Sequence, residues 1–160
     1  MPVIAAHSSV ASHGWIPYND ALHILIVDDS PADVGLVEEA LRSWRGSNRL
    51  SVAEDGEEAM RFLQQQSPFE AAPRPDLILL DLNLQKRDGR DVLAAIKADS
   101  RLKQIPVIIL STSDSEQDVR RAYDLHANCY LTKPVHMDDF VAKIQAIEDF
   151  WIQYVRLPRV

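Results

Sequence analysis

Four apolar runs in this chain end in side chains that can do chemistry. ILIVDD ends in Asp28 and Asp29, DLILLD in Asp81 with Leu82 and Asn83 behind it, PVIILST in Ser111 and Thr112, and ANCYLTKP in Lys133 and Pro134. Two carboxylates ~5 Å apart repel by roughly 3 kcal/mol at an effective dielectric of about 20. Three such groups at one edge either raise a pKa or recruit a cation. An all-oxygen ligand set with open positions suits Mg²⁺, which binds through one or two carboxylates and keeps water and phosphate as its other ligands. A divalent ion, the Lys133 ammonium and the Ser111 hydroxyl around one aspartate make a phosphoryl-transfer site. Asp81 is then the nucleophile, because a carboxylate can accept a phosphoryl group directly.

Taken singly, each feature has an ordinary structural use. An aspartate pair ahead of a helix caps it and complements its dipole. A lone aspartate after a strand serves a turn, Ser-Thr serves a cap, and Lys-Pro a solvated loop. The chemical reading needs a fold that brings all four strand ends to one edge.

The elements point to such a fold. Leu22–Val27, Asp76–Leu80 and Pro106–Leu110 are apolar on successive residues, as in strands covered on both faces, and Leu50–Ala53 and Asn128–Leu131 are weaker candidates. Between them lie helical patterns. Ser30-Pro31-Ala32-Asp33 offers an N-cap, a proline at the first helical position and an acid three residues after the cap. Val34, Val37, Leu41 and Trp44 then recur at helical spacing. Gly56–Gln66, Asp91–Ala98 and Ser113–Leu125 follow, the last opening with the capping-box pattern Ser113-x-x-Glu116. Met137–Val155 closes the series, with Phe140, Ile144, Ile147, Trp151 and Tyr154 or Val155 on one stripe. Five strand–helix alternations predict an α/β domain: a doubly wound, five-stranded parallel sheet of flavodoxin-like order 2-1-3-4-5 with helices on both faces. Such folds place their sites at the carboxyl ends of the strands. We expect a loosely ordered extension over 1–20, the domain over 21–155 and a tail over 156–160.

Composition excludes several classes. The chain has 160 residues, the size of one domain, and is 46% hydrophobic and 26% charged, so it can bury a core. A net charge of −7 and a pI near 5.1 carry no basic stripe for nucleic acid. No apolar run reaches membrane-spanning length, and the first twenty residues lack the charged and apolar regions of a secretory leader. The single cysteine, Cys129, cannot form an internal disulfide, which fits a cytoplasmic setting. The five histidines show no metal-ligand spacing.

ILIVDDS, DLILLDLNLQKRDGRDVL, VIILSTS, ANCYLTKPV and the terminal FWIQYVRLP together resemble a response-regulator receiver domain of the CheY-like superfamily. The resemblance is greatest to the stand-alone regulators paired with cyanobacterial and bacterial phytochromes. It implies that Asp81 is the phospho-acceptor, that Asp29 binds Mg²⁺ directly with Asp28 helping through water, and that Asn83 contributes its backbone carbonyl. It implies that Ser111 is the switch hydroxyl, that Lys133 pairs with the phosphate, that Tyr130 swings inward on activation, and that Lys133–Pro134 is a cis peptide. Two residues depart from the family pattern. Gln85 stands where a proline is usual, which suggests a more mobile loop over Asn83–Gly89, and Ser111 replaces the more frequent threonine. Neither removes a catalytic group.

The resemblance implies a sensor histidine kinase, of phytochrome type, as the phosphoryl source. Only Pro134–Val160 follows the lysine, room for one helix and a tail, so the output is expected to be a protein contact or transfer of the phosphoryl group to another histidine. Phe150, Trp151 and Ile152 in succession cannot all face one side of a helix. Phe150, Trp151 and Tyr154 are therefore expected to form a dimer or partner face, as part of a homodimer through the fourth helix, fifth strand and fifth helix. A flavodoxin would need a hydroxyl- and amide-rich phosphate cradle where Asp28 and Asp29 stand. A haloacid-dehalogenase-type phosphatase would need a second acid where Asn83 stands. A phosphorylation-independent adaptor with the same fold is the alternative in which the chemistry is unused.

Overall fold

The computed structural model describes residues 22–42 and 48–158. Five strands, β1 (His23–Val27), β2 (Arg49–Ala53), β3 (Leu77–Leu80), β4 (Val107–Ser111) and β5 (Cys129–Thr132), form one parallel sheet in the order β2-β1-β3-β4-β5. This is the expected fold class and strand order. The helices are α1 (Pro31–Arg42), α2 (Gly56–Leu63), α3 (Gly89–Ala98), α4 (Glu116–Asp124) and α5 (Met137–Ile147), the last running on into a π-helical segment, Glu148–Tyr154. The proposed extension over 1–20 and the stripe position Trp44 lie outside the described residues.

The strands are apolar on successive residues because each face meets a different helix layer. Leu25 and Val27 of β1 join Met60, Phe62, Leu93 and Ile96 in one core. Ile24 and Ile26 join Val37, Leu41, Phe140 and Ile144 in the other. Every residue of β1, β3 and β4 is buried, whereas β5, at the sheet edge, is only half-buried throughout. A side-chain burial of this extent, at about 1.5–3 kcal/mol for each large aliphatic residue, locks the register that aligns the strand ends.

Two helix termini differ from expectation. Ser115, not Ser113, caps α4: its hydroxyl accepts from the Asp118 N–H at 3.1 Å. Ser113 is thereby freed for side-chain contacts described below. After Ile147 the winding widens, and the Val155 N–H bonds to the Phe150 carbonyl, five residues back, at 3.0 Å. The fully buried positions therefore continue through Ile152 and Leu157, 9% and 4% exposed, while Trp151 and Val155 of the expected stripe pack against the same core only partly buried and Tyr154 leaves it. A 3.6-residue period cannot anticipate this, because a π turn rotates every later side chain away from the α-helical face.

The loop between β3 and α3 is fastened at both sides. Lys86 Nζ lies 2.7 Å from Asp55, the N-cap of α2, and the Gly56 N–H reaches the Gln85 carbonyl at 3.4 Å. The loop is therefore tied to α2 despite lacking the proline. Gly89 opens α3 against the Asp81 backbone. A Cβ there would collide with the Asp81 carbonyl oxygen and come within 2.6 Å of Leu82 Cα. Gly35, on α1, has nothing within 4 Å of the same position. Gly89→Ala is thus expected to lose about 1–3 kcal/mol or more of stability in urea unfolding, while Gly35→Ala gains up to about 1 kcal/mol from helix propensity.

Candidate functional site

The sheet register extends past the strand ends and sets the site. The Asp28 N–H bonds to the Ala53 carbonyl (3.1 Å), the Asp81 N–H to the Val27 carbonyl (2.9 Å) and the Lys133 N–H to the Ser111 carbonyl (2.7 Å). Asp28, Asp29 and Asp81 thus converge, each offering a carboxylate oxygen within 4.8 Å of the others. The set is all-oxygen, closely spaced and open on one side, since Asp29 is only half-buried. That suits a hard divalent cation that keeps some of its own water.

Lys133, with its side chain 5% exposed, reaches into this cluster from the β5 end. Its ammonium lies 2.7 Å from Asp28 Oδ2, 2.9 Å from Asp33 Oδ2 and 3.1 Å from Asp81 Oδ2. Burial alone would lower its pKa, but the hydrogen bonds and charges of these carboxylates hold it well above the usual lysine range. Asp81 moves up instead, chiefly through burial and with a contribution from Asp28, against the lowering effect of Lys133 and the Asn83 N–H. The two directions agree physically. One ammonium is shared by three carboxylates, and the carboxylate at the longest of the three contacts retains the desolvation cost.

The remaining hydrogen bonds orient these groups. Asp28 Oδ1 accepts from the Ser30 N–H at 2.9 Å and Asp81 Oδ1 from the Asn83 N–H at 3.1 Å. Ser111 is fully buried, and its hydroxyl oxygen accepts from the Ser113 N–H at 3.2 Å. Tyr130 is half-buried, and its hydroxyl donates to the Ser113 carbonyl at 2.7 Å. The cis peptide among the described residues is Ser67–Pro68, so the expectation of a cis Lys133–Pro134 bond is corrected. The two isomers of an X–Pro bond differ by only about 0.5–1 kcal/mol, so a two-residue motif cannot decide between them.

Asp33 is the site residue that sequence reasoning missed. Its place three residues after Ser30 marked it as a capping acid, yet its carboxylate is committed to Lys133. Nothing in the sequence near Asp33 or Lys133 signals this contact, which joins residues 100 positions apart. Phe150 and Tyr154, 57% and 73% exposed, leave the core as expected, but Trp151 is half-buried and stacks edge-on against Phe150 at 5.6 Å. These aromatics lie on the π-helical segment after α5, away from the carboxylates in sequence and in the sheet.

Residues 24–145 match the model of the response regulator receiver domain. The response regulator Rcp1 of Synechocystis sp. is 53% identical over 135 residues, covering 84% of this chain and 92% of Rcp1. A crystal structure of Rcp1 in its Mn(2+)-bound form superposes with a TM-score of 0.84 at 51% identity, covering 86% of this chain and 99% of that one. The phosphorylated cyanobacterial phytochrome response regulator RcpA superposes with a TM-score of 0.86 at 46% identity, covering 88% of this chain and all of its own.

The raised pKa of Asp81 has a consequence for stability without metal. Below the ordinary aspartate range the group is protonated folded and unfolded and has no effect. As pH rises through the raised folded value, the folded state must ionise a carboxylate it disfavours, and stability falls. In EDTA, Asp81→Asn is therefore expected to gain about 0.5–2 kcal/mol over the wild type at pH 7, with the difference vanishing near pH 3. Urea titrations at both pH values check this, and a loss of stability at pH 7 would contradict it.

Proposed function

The chain belongs to the response regulator receiver domain family, and from that premise we propose that it is a phosphoryl-accepting signalling switch whose acceptor is Asp81. The observation that supports this reading best is the Lys133 ammonium, 3.1 Å from Asp81 Oδ2, beside three aspartates with oxygens within 4.8 Å. In the proposed reaction an Asp81 carboxylate oxygen attacks the phosphorus of a phosphohistidine on a sensor kinase. The P–O bond forms as the P–N bond breaks, and the imidazole nitrogen keeps the electron pair. Water later attacks the acyl phosphate, releasing inorganic phosphate and restoring the carboxylate.

Charge makes a cation necessary. Asp28, Asp33 and Asp81 surround one ammonium and Asp29 adjoins them, so an incoming phosphoryl group meets a net negative field. Asp29 and Asp81, with the Asn83 carbonyl and with Asp28 through water, would hold Mg²⁺, which neutralises phosphoryl oxygens when bound. Lys133 then trades carboxylate contacts for a phosphoryl oxygen. The phosphate adds roughly −1.5 to −2 charges and three acceptor oxygens. Ser111 would turn from the Ser113 N–H to meet one of them, and Tyr130, whose ring packs against the core and whose hydroxyl donates to the Ser113 carbonyl, is the aromatic we place in the same switch.

Partners follow from exposed surface. Val135 and Met137, 97% and 63% exposed, follow Lys133 and line a cleft with it and Asp33, an apolar landing that we assign to an approaching kinase. The likeness to phytochrome response regulators supports a phytochrome-type histidine kinase as that partner. We assign Phe150 and Tyr154 to a homodimer face continuous with α4, β5 and α5, with Trp151 buttressing Phe150 from beneath. No helix among the described residues is long and apolar enough to cross a membrane, and we assign the protein to the cytoplasm.

Incubation with acetyl phosphate is expected to add one phosphoryl group by intact mass, only with Mg²⁺ and not in Asp81→Asn. A folded wild type that forms no adduct and does not bind beryllofluoride would favour the phosphorylation-independent adaptor. In analytical ultracentrifugation, Phe150→Ala with Tyr154→Ala is expected to weaken self-association at least about tenfold, as for exposed aromatic anchors. Unchanged association would remove those residues from the interface.

A further inference from the structure

Asp33 stands apart from the other carboxylates at the site. Asp28, Asp29 and Asp81 offer oxygens within 4.8 Å of one another, and Asp33 is not in that set. It is carried by the first turn of α1, and its Oδ2 lies 2.9 Å from the Lys133 ammonium. The helix does not need this carboxylate to close its own start. The Ser30 hydroxyl accepts the Asp33 N–H at 3.3 Å, and the Ser30 carbonyl accepts the Val34 N–H at 3.0 Å. Asp33 therefore adds a negative charge that neither the cation cluster nor the helix requires.

A lysine ammonium has three N–H donors, and the contacts of Lys133 run to Asp28, Asp33 and Asp81. A phosphoryl oxygen that comes to this ammonium must take one of those donors or share it. The Asp28 and Asp81 side chains are 6% and 9% exposed, that of Asp33 31%. Water can re-solvate the Asp33 carboxylate most readily, so its contact is the least costly to give up. The same carboxylate lines, with Lys133, Val135 and Met137, the open cleft next to the cluster. An anionic phosphodonor in that cleft is repelled by it.

We propose that Asp33 sets donor selectivity: its charge restrains phosphoryl transfer to Asp81 from small anionic phosphodonors, the more so the greater the donor's negative charge. The proposal rests on the reading of Asp81 as acceptor. Asp33 acts through Lys133 and is a positioning residue. Removing its charge makes a cation harder to hold and an anion easier to accept, so the two effects have opposite signs. A merely structural disturbance at this edge weakens both.

The test measures the rate of adduct formation by intact mass, at saturating Mg²⁺, with acetyl phosphate and with phosphoramidate. Calorimetry follows Mg²⁺ binding in the absence of any donor. The proteins are the wild type, Asp33→Asn, Asp33→Glu and Glu39→Gln. Asparagine keeps an oxygen that can accept from Lys133 and removes the charge. Asp33→Asn is expected to label about threefold to tenfold faster with acetyl phosphate, the range one partly exposed charge can supply. The gain should be smaller with phosphoramidate, whose ammonio nitrogen offsets part of its negative charge. The same variant should bind Mg²⁺ about twofold to fivefold more weakly, and added salt should shrink both effects. Asp33→Glu, which keeps the charge, should stay close to the wild type. Glu39→Gln, an exposed position farther along α1, should change neither readout. Unchanged or slower labelling of Asp33→Asn, equal gains with the two donors, or Mg²⁺ binding that is unchanged or tighter would overturn the proposal and leave the acceptor reading intact. A wild type that does not label would overturn both.

Discussion

The Lys133 ammonium, 2.7 to 3.1 Å from the carboxylates of Asp28, Asp33 and Asp81, is the contact on which the site depends. Four aspartates at one sheet edge would otherwise repel one another in a region where water is partly excluded. One ammonium cannot neutralise four carboxylates. The residual negative charge leaves Asp81 short of stabilisation and makes the edge a trap for a divalent cation. The same imbalance suits the switch we propose, in which an arriving cation and phosphate would exchange the ion pairs around Lys133.

That charge cluster rests on a rigid support. Two apolar cores, one on each face of the sheet, hold β1, β3 and β4 with no residue exposed, so the strand ends are fixed relative to one another. The periphery is built differently. The β5 strand is half-buried throughout, α4 buries little but Ala122, and its first turn is secured by Arg90, Ser113 and Asp118. Apolar burial resists small displacement over the whole contact area, whereas a few hydrogen bonds can be exchanged for others. For that reason the acceptor site and the partner face we propose can share one small domain, the first on the stiff side and the second on the polar side.

The fold was legible because its signals are local. Strands buried on both faces write themselves as unbroken apolar runs, and Leu77–Leu80 or Val107–Leu110 admit few other uses. Boundaries of α2 and α4 moved by up to three residues, and the cap of α4 moved from Ser113 to Ser115, since three serines or threonines within four positions compete for one role. The π-helical winding after Ile147 was not legible. It depends on how the chain closes over the core, with Ile152 and Leu157 buried, Trp151 and Val155 packed beside them and Tyr154 turned out.

Residue type and spacing alone determined the doubly wound architecture, the strand order and the candidate set Asp28, Asp29, Asp81, Ser111 and Lys133, since each of these is written within a few residues of a strand end. Tertiary structure alone decided which carboxylates Lys133 would serve. Asp33 lies 100 positions away in sequence yet 2.9 Å away in space, and nothing near either residue announces the pair. It also decided that Asp118 would tie α4 to Arg90, that Lys86 would tie the β3–α3 loop to Asp55, and that Lys133–Pro134 would not be the cis bond. Periodicity and capping are properties of neighbours along the chain. The partner of a charge is whichever opposite group the packed elements bring within reach, and only the packed elements specify it.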